Sequence, residues 1–576
     1  MMRLGGDLAR TLAEKSETTD WARIGADPFN LHGAWVAMVD HMLAHPDQMT
    51  AAQFDLWRKY IGVWNQALTR LSGGNAPDIV AADPTDRRFR AEAWHRDAIF
   101  AFIRQTYLLT ARWIMGQVDV NAAALEPEAA RKLQFFTRNF IDALSPANFA
   151  WTNPEVVRET LESGGQNLVR GLKNLVDDMK RGALRTTDEK AFKVGENLAT
   201  TKGQVVFRNR LMELIQYAPT TKQVAKTPLL IVPPWINKYY ILDLRPDNSF
   251  VKWAVDQGQT VFMVSWVNPD QSLGNLGFDD YMLEGILAAL DAVESRTGEK
   301  QTNVIGYCIG GTLLAMTLSY LKKKKKAGRV ASATFFTTLL DFADSGDLKL
   351  FVDEEQLRLL RERMHRHGFL DAETLKATFS LLRANDMIWS FVVNNYLMGR
   401  EPFPFDLLYW NADSTNLPAR MHEYYLRHMY LRNDLRTPGK LEFAGSKIDL
   451  GRIDTPAYFL SAREDHIAPW KATYAGTQLL GGPSTFVLAA SGHIAGVVNH
   501  PAAKKYCYWT GRNATGNATT PDAYIKDAKQ HEGSWWPHWR AWLKQYEGPP
   551  VAARDPAKGK PKPLCPAPGT YVLKKA

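Results

Sequence analysis

At 576 residues, with 45% hydrophobic and 23% charged side chains, the chain has the composition of a folded globular protein, and its length anticipates three or four domains. Seventy lysines and arginines against 61 aspartates and glutamates leave a net charge of +9; with no nucleic-acid motif present, this favours an anionic small molecule or a plain solvated surface. Three cysteines are too few for a disulfide framework, and the N-terminal MMRLGGDLARTLAEK has no apolar core of signal-peptide length, so a reducing, cytoplasmic setting is expected.

Residues 1–190 read as an accessory helical domain for contact with a partner, a second copy or a hydrophobic surface. Leu31–Leu43, Phe54–Leu71, Trp94–Met115 and Val156–Met179 repeat apolar residues three and four apart. His32, His41, His45 and His95 lack metal-ligand spacing, and no metal site is expected. The 18 tryptophans point to deep apolar pockets or to a surface that meets something greasy.

From about Gln204 the period changes. Val205–Arg208 and Met212–Tyr217 read as paired strands, Pro228–Val232, Thr260–Trp266, Asn303–Tyr307 and Ala333–Thr338 as buried ones, with helices near Phe250–Gln257 and Asp279–Arg296 between them. Strands alternating with helices indicate a parallel α/β sheet with function at the strands' C-terminal ends. About 341–451 is helical and aromatic-rich, a lid insertion. Ala457–Ser461 resumes the sheet, Thr485–Ala489 is the last expected strand, and the tail from Pro549 is expected to be extended.

The stretch Gln301–Leu321 carries no charge and contains Gly306-Tyr307-Cys308-Ile309-Gly310-Gly311. This is a nucleophile elbow, Gly-x-Nuc-x-Gly, with cysteine as the nucleophile. A membrane span followed by Lys322–Lys326 is the competing reading, and a packed core thiol another. Four glycines and a β-rich start oppose the span; the lysines complement a helix C-terminus, with Gly328 as its expected cap.

Two later strand ends carry the partners such a cysteine needs. Asp465 follows Ala457–Ser461, and His493 lies in the Gly-flanked loop after Thr485–Ala489, giving the order nucleophile, acid, histidine of the α/β-hydrolase fold. His493 is the expected base and Asp465 the residue that fixes its tautomer; Asp341 and Asp344 are rival acids, and His466 is expected to be structural. An oxyanion hole needs two N–H groups. Ile309 is one expected donor. In the loop Pro233-Pro234-Trp235-Ile236-Asn237-Lys238 the prolines cannot donate, so Trp235 or Ile236 must, and Ile236 is preferred. Trp235 and Asn237 are the expected substrate-binding residues.

Together with PPWINKYYILDL (233–244), YWNADSTNLP (409–418), EDHIAPW (464–470) and SGHIAGVVN (491–499), the GYCIGG block resembles the polyhydroxyalkanoate synthases over nearly the whole length, and most nearly their class I. The resemblance implies an α/β-hydrolase domain at 191–576 and a reaction in which (R)-3-hydroxyacyl-CoA, of short chain such as 3-hydroxybutyryl-CoA, is polymerised through an acyl-cysteine with release of CoA. It carries the catalytic roles onto Cys308, Asp465 and His493. It also implies a homodimer, attachment to the polyester granule and no cofactor, the CoA thioester being the substrate. A thiol-dependent thioesterase or hydrolase on the same fold, and a non-enzymatic granule- or membrane-coating protein, are the alternatives.

Overall fold

The computed structural model describes residues 31–511 and 520–576; the N-terminal segment read for a signal peptide lies outside them. The chain divides into two units: residues up to Asp188 together with Ala377–Phe403, and Glu189–Lys376 together with Pro404–Ala576.

The first unit is helical: His32–Ala44, Pro46–Leu71, Ala98–Ala122, Pro127–Ala143, Pro154–Glu162 and Gln166–Arg181. Proline opens three of these, where its missing N–H costs nothing. Two expected helices are each broken in two. Asp97 takes an extended conformation and caps the next helix through the Ile99 and Phe100 amides, ending a short turn at Arg96. Gly164 and Gly165, at φ 57° and 84°, separate Pro154–Glu162 from Gln166–Arg181. Val63, Phe89, Trp94 and Leu108 form one core. His95 is held between the Phe89 carbonyl and the buried Arg104, a structural histidine. The part of the expected lid at Ala377–Phe403 joins this unit through main-chain contacts: Asn167 donates to the Leu397 carbonyl at 2.9 Å and Asn174 to that of Asn395 at 3.0 Å.

The second unit is built on an eleven-stranded sheet. In chain order its strands are β1 (Gly203–Arg208), β2 (Met212–Tyr217), β3 (Leu229–Val232), β4 (Val261–Trp266), β5 (Thr302–Tyr307), β6 (Val330–Phe336), β7 (Ala457–Ala462), β8 (Ser484–Ala489), β9 (Cys507–Thr510), β10 (Lys529–Glu532) and β11 (Cys565–Pro566). Their order across the sheet is β10-β9-β8-β7-β6-β5-β3-β4-β2-β1-β11. The six central strands, β8 to β4, run parallel. Every residue of β3, β4, β5 and β7 is buried, as helices on both faces require, and this is why the four read as mostly apolar runs, broken only by Ser265, Thr302, Asn303 and Ser461.

Three expectations are corrected here. Thr485–Ala489 does not end the sheet: β9 and β10 extend it antiparallel. The helix Ile309–Lys323 is not capped by Gly328; Lys325 takes the left-handed conformation at φ 60°, and the Lys326 amide closes onto the Leu321 carbonyl. The tail beyond Pro549 folds back, pairing Pro550–Ala552 with Gln223–Ala225 and β11 with β1. The uncharged run 301–321 is a strand, a bend and a helix, and among the described residues no helix is long and apolar enough to cross a membrane.

Candidate active site

Cys308 stands between β5 and the helix Ile309–Lys323 with φ 52° and ψ −123°, a conformation that L residues avoid. The strand and helix enforce it by their closeness. A Cβ on Gly306 would lie 2.5 Å from the Gly311 Cα, and one on Gly310 would lie 2.4 Å from the Val232 carbonyl oxygen. The Cys308 amide donates to the Phe336 carbonyl at 2.9 Å, tying the bend to β6. The side chain is half-buried at the start of the helix, where the dipole favours negative charge.

Asp465 and His493 come from the ends of β7 and β8, whose loops are joined by the Glu464 amide donating to the Ser491 carbonyl at 2.9 Å. The two carboxylate oxygens of Asp465 are both used. Oδ1 accepts the amides of Ile467 and Ala468 at 2.8 and 2.9 Å, and Oδ2 meets His493 Nδ1 at 2.7 Å. This leaves the other imidazole nitrogen for the Cys308 thiol, whose nearness raises the imidazole pKa. Burial alone would press the His493 pKa down; the charge and hydrogen bond of Asp465, with Cys308 nearby, overcome it and hold it at about 10.

The rival acid Asp341 is engaged elsewhere: it accepts from Asn433 at 2.7 Å and pairs with Arg436 at 3.2 Å. Asp344 is exposed, and His466 is half-buried beside Asp465. Ile309 and Ile236 carry amides with no acceptor among the described residues. Trp235 is buried in an aromatic cluster with Trp266, Phe278 and Tyr281, so it forms wall rather than lining. Asn237 is half-buried and donates to Ser414 Oγ at 3.2 Å.

A family model described as the N-terminus of poly-beta-hydroxybutyrate polymerase (PhaC) matches residues 85–254, and one described as the alpha/beta hydrolase fold matches residues 234–499. A poly(3-hydroxyalkanoate) polymerase of Methylorubrum extorquens is 46% identical over 539 residues, covering 93% of this chain and 88% of its own. The chain belongs to the poly(3-hydroxyalkanoate) polymerases. This polymerase is also 45% identical to the PhaC subunit of Rhizobium meliloti, over 93% of its own chain and 87% of that one. To the PhaC subunit of Cupriavidus necator it is 44% identical, over 91% and 88%. It is an acyltransferase built on an α/β-hydrolase fold.

Several residues that serve the site in the polymerase carry no local signal in the sequence. The Tyr307 hydroxyl donates to the His493 carbonyl at 3.1 Å. Trp535 and Trp536, both fully buried, donate their indole N–H groups to the Gly496 and Val497 carbonyls at 2.9 Å and pin the histidine loop from below. Much of the tryptophan excess is therefore scaffold. From the lid, Tyr425 and Tyr430 approach Cys308; burial first raises both phenol pKa values, followed for Tyr425 by Tyr430 and Cys308, and for Tyr430 by Cys308 against the lowering effect of its hydrogen bond with Tyr425. They lie five residues apart, and only the π-helical turn Leu426–Leu431 brings that spacing onto one face.

Proposed function

We propose that the polymerase extends a polyester from (R)-3-hydroxyacyl-CoA, of short chain such as 3-hydroxybutyryl-CoA, through an acyl group carried on Cys308. The reading is carried by one observation: a cysteine held at positive φ at a helix start, close beside a histidine whose Nδ1 sits on a buried aspartate at 2.7 Å.

The Cys308 proton rests on His493, as its raised pKa favours, and the Cys308 sulfur attacks the thioester carbonyl. The amides of Ile309 and Ile236 face the developing oxyanion. The bond to the CoA sulfur breaks, and CoA leaves with the proton from His493. A 3-hydroxyl then gives its proton to His493 and its oxygen attacks the acyl-cysteine, forming an ester and releasing Cys308. Because a thioester is exchanged for a thioester, the first step is nearly isoenergetic and the acyl group stays activated; a serine would hold it as a less reactive ester. Asp465 keeps the imidazole in its tautomer and stabilises the imidazolium. The CoA thioester is the substrate, and the scheme uses no cofactor or metal. Homodimerisation and attachment to the granule belong to the same reading, which the exposed Trp57, Ile61 and Trp64 of the helix Pro46–Leu71 support.

The test is incubation with 3-hydroxybutyryl-CoA while free thiol and turbidity are followed. CoA release with insoluble product and a 3-hydroxybutyryl mass shift on Cys308 are expected, and Cys308→Ala abolishes all three. Soluble hydroxy acid as the sole product makes the protein a thioesterase. Label retained by the alanine variant removes Cys308 as the carrier.

A further inference from the structure

The loop that offers the Ile236 amide is held almost entirely by one short segment of the lid, Tyr409–Thr415. Thr415, 3% exposed, donates its hydroxyl to the Trp235 carbonyl, and its amide donates to the Ile236 carbonyl at 3.2 Å. The Trp410 indole N–H donates to the Lys238 carbonyl at 2.7 Å. The segment is locked in place by a buried ion pair: Lys238 Nζ meets Asp413 Oδ1 at 2.7 Å, with side chains 3% and 9% exposed. Tyr240 closes the pair by donating to Asp413 Oδ2 at 2.9 Å.

The geometry of the peptide unit makes one of these contacts decisive. A trans peptide is planar, with its C=O and N–H on opposite edges. The carbonyl that Thr415 holds and the Ile236 N–H belong to the same plane. Whatever fixes the Trp235 oxygen therefore aims the Ile236 hydrogen, and the Ile236 amide has no acceptor of its own among the described residues. Among the described residues, the contact on this peptide plane is made from its far edge by the Thr415 hydroxyl, which also reaches the Ile236 carbonyl at 3.1 Å.

We infer that Thr415 is a positioning residue of the oxyanion hole, setting the direction of the Ile236 amide through the Trp235 carbonyl. The inference rests on the acyl-cysteine reading above. An oxyanion donor acts on the transition state and not on the bound thioester, so its misalignment belongs in kcat.

Thr415→Val keeps the shape and removes the hydroxyl; Thr415→Ser keeps the hydroxyl. With 3-hydroxybutyryl-CoA, the valine variant is expected to lower kcat for CoA release by roughly 10- to 100-fold with KM within about twofold, and the serine variant to recover most of it. The pH profile of either variant should keep the wild-type midpoints, because neither Cys308 nor His493 is touched. Thr415→Ala, read the same way, replaces the valine variant if the latter fails to fold. Wild-type kcat in the hydroxyl-free variants overturns the inference, as does equal loss of kcat and KM, or a serine variant no better than valine. Cys308→Ala separates the two readings. Turnover surviving in that variant sinks the acyl-cysteine reading, whereas a dead alanine variant beside a fully active Thr415→Val sinks the positioning role alone.

Discussion

Asp465 is saturated by three donors: two backbone amides on one oxygen and the imidazole on the other. An asparagine there can still accept the two amides but must turn its NH2 toward His493 Nδ1, reversing the tautomer. Asp465→Asn is therefore expected to slow acylation and elongation in parallel, by roughly 10³- to 10⁴-fold, as loss of the orienting carboxylate does in related triads. Single-turnover acylation and chain extension measured separately check this; loss of elongation alone would assign Asp465 the second deprotonation instead. His493 makes a stability prediction as well. Its pKa is raised from 6.5 to about 10, so the folded state binds its proton more tightly than the unfolded chain. The stabilisation is complete below about pH 6.5 and is lost as pH rises toward 10. Thermal melting across that window should show the wild type losing more Tm than His493→Gln.

The elbow is an element whose parts exclude alternatives. Cys308 at positive φ is tolerable only because strand, bend and helix are each tied to neighbours, and the tie requires bare backbone at Gly306 and Gly310. Gly306→Ala would press a methyl group into the Gly311 Cα, which cannot move without shifting the helix that carries the nucleophile. Equilibrium urea unfolding should show a loss of at least roughly 1–3 kcal/mol, together with reduced acylation. A second close approach occurs in the first unit, where a Cβ on Gly171 would lie 1.7 Å from the Tyr396 carbonyl oxygen, and a side chain there should unseat the Val392–Leu397 turn. The π-helical turn Leu426–Leu431 works by register rather than closeness. It re-phases the lid helix by one residue, so Tyr425 and Tyr430 both lie near enough to the cysteine for it to raise their pKa values.

On the scale of the molecule, the second unit is closed by its own C-terminus. The amides of Thr570 and Tyr571 donate to Glu213 Oε2 at 2.9 and 3.0 Å, and the carboxylate, with no exposed surface, is otherwise paired with Arg208. Removing residues 564–576 strips those donors from a buried charge. The truncated protein is expected to lose about 3 kcal/mol, read as a lower Tm, and Glu213→Gln should recover part of it.

The central strands, the elbow and the order Cys308, Asp465, His493 were all legible in the sequence. A strand buried on both faces must be largely apolar, and an elbow must have glycine where backbones touch. Strand β10, Lys529–Glu532, was illegible because its largely exposed side chains leave only backbone pairing to hold it. The union of Ala377–Phe403 with the N-terminal helices was hidden because it runs through main-chain carbonyls met by Asn167 and Asn174 more than two hundred positions away. The residues that hold the loops around the candidate site, Tyr307, Thr415, Asp413 and the Trp535–Trp536 pair, were invisible for the same reason. Their identities fit any core; only their partners give them a role. Sequence alone named the cysteine, aspartate and histidine that meet at the candidate site, because their candidacy is a property of residue type and local backbone. Tertiary structure decided how those residues are held, because orientation comes from hydrogen bonds between segments that no local pattern relates.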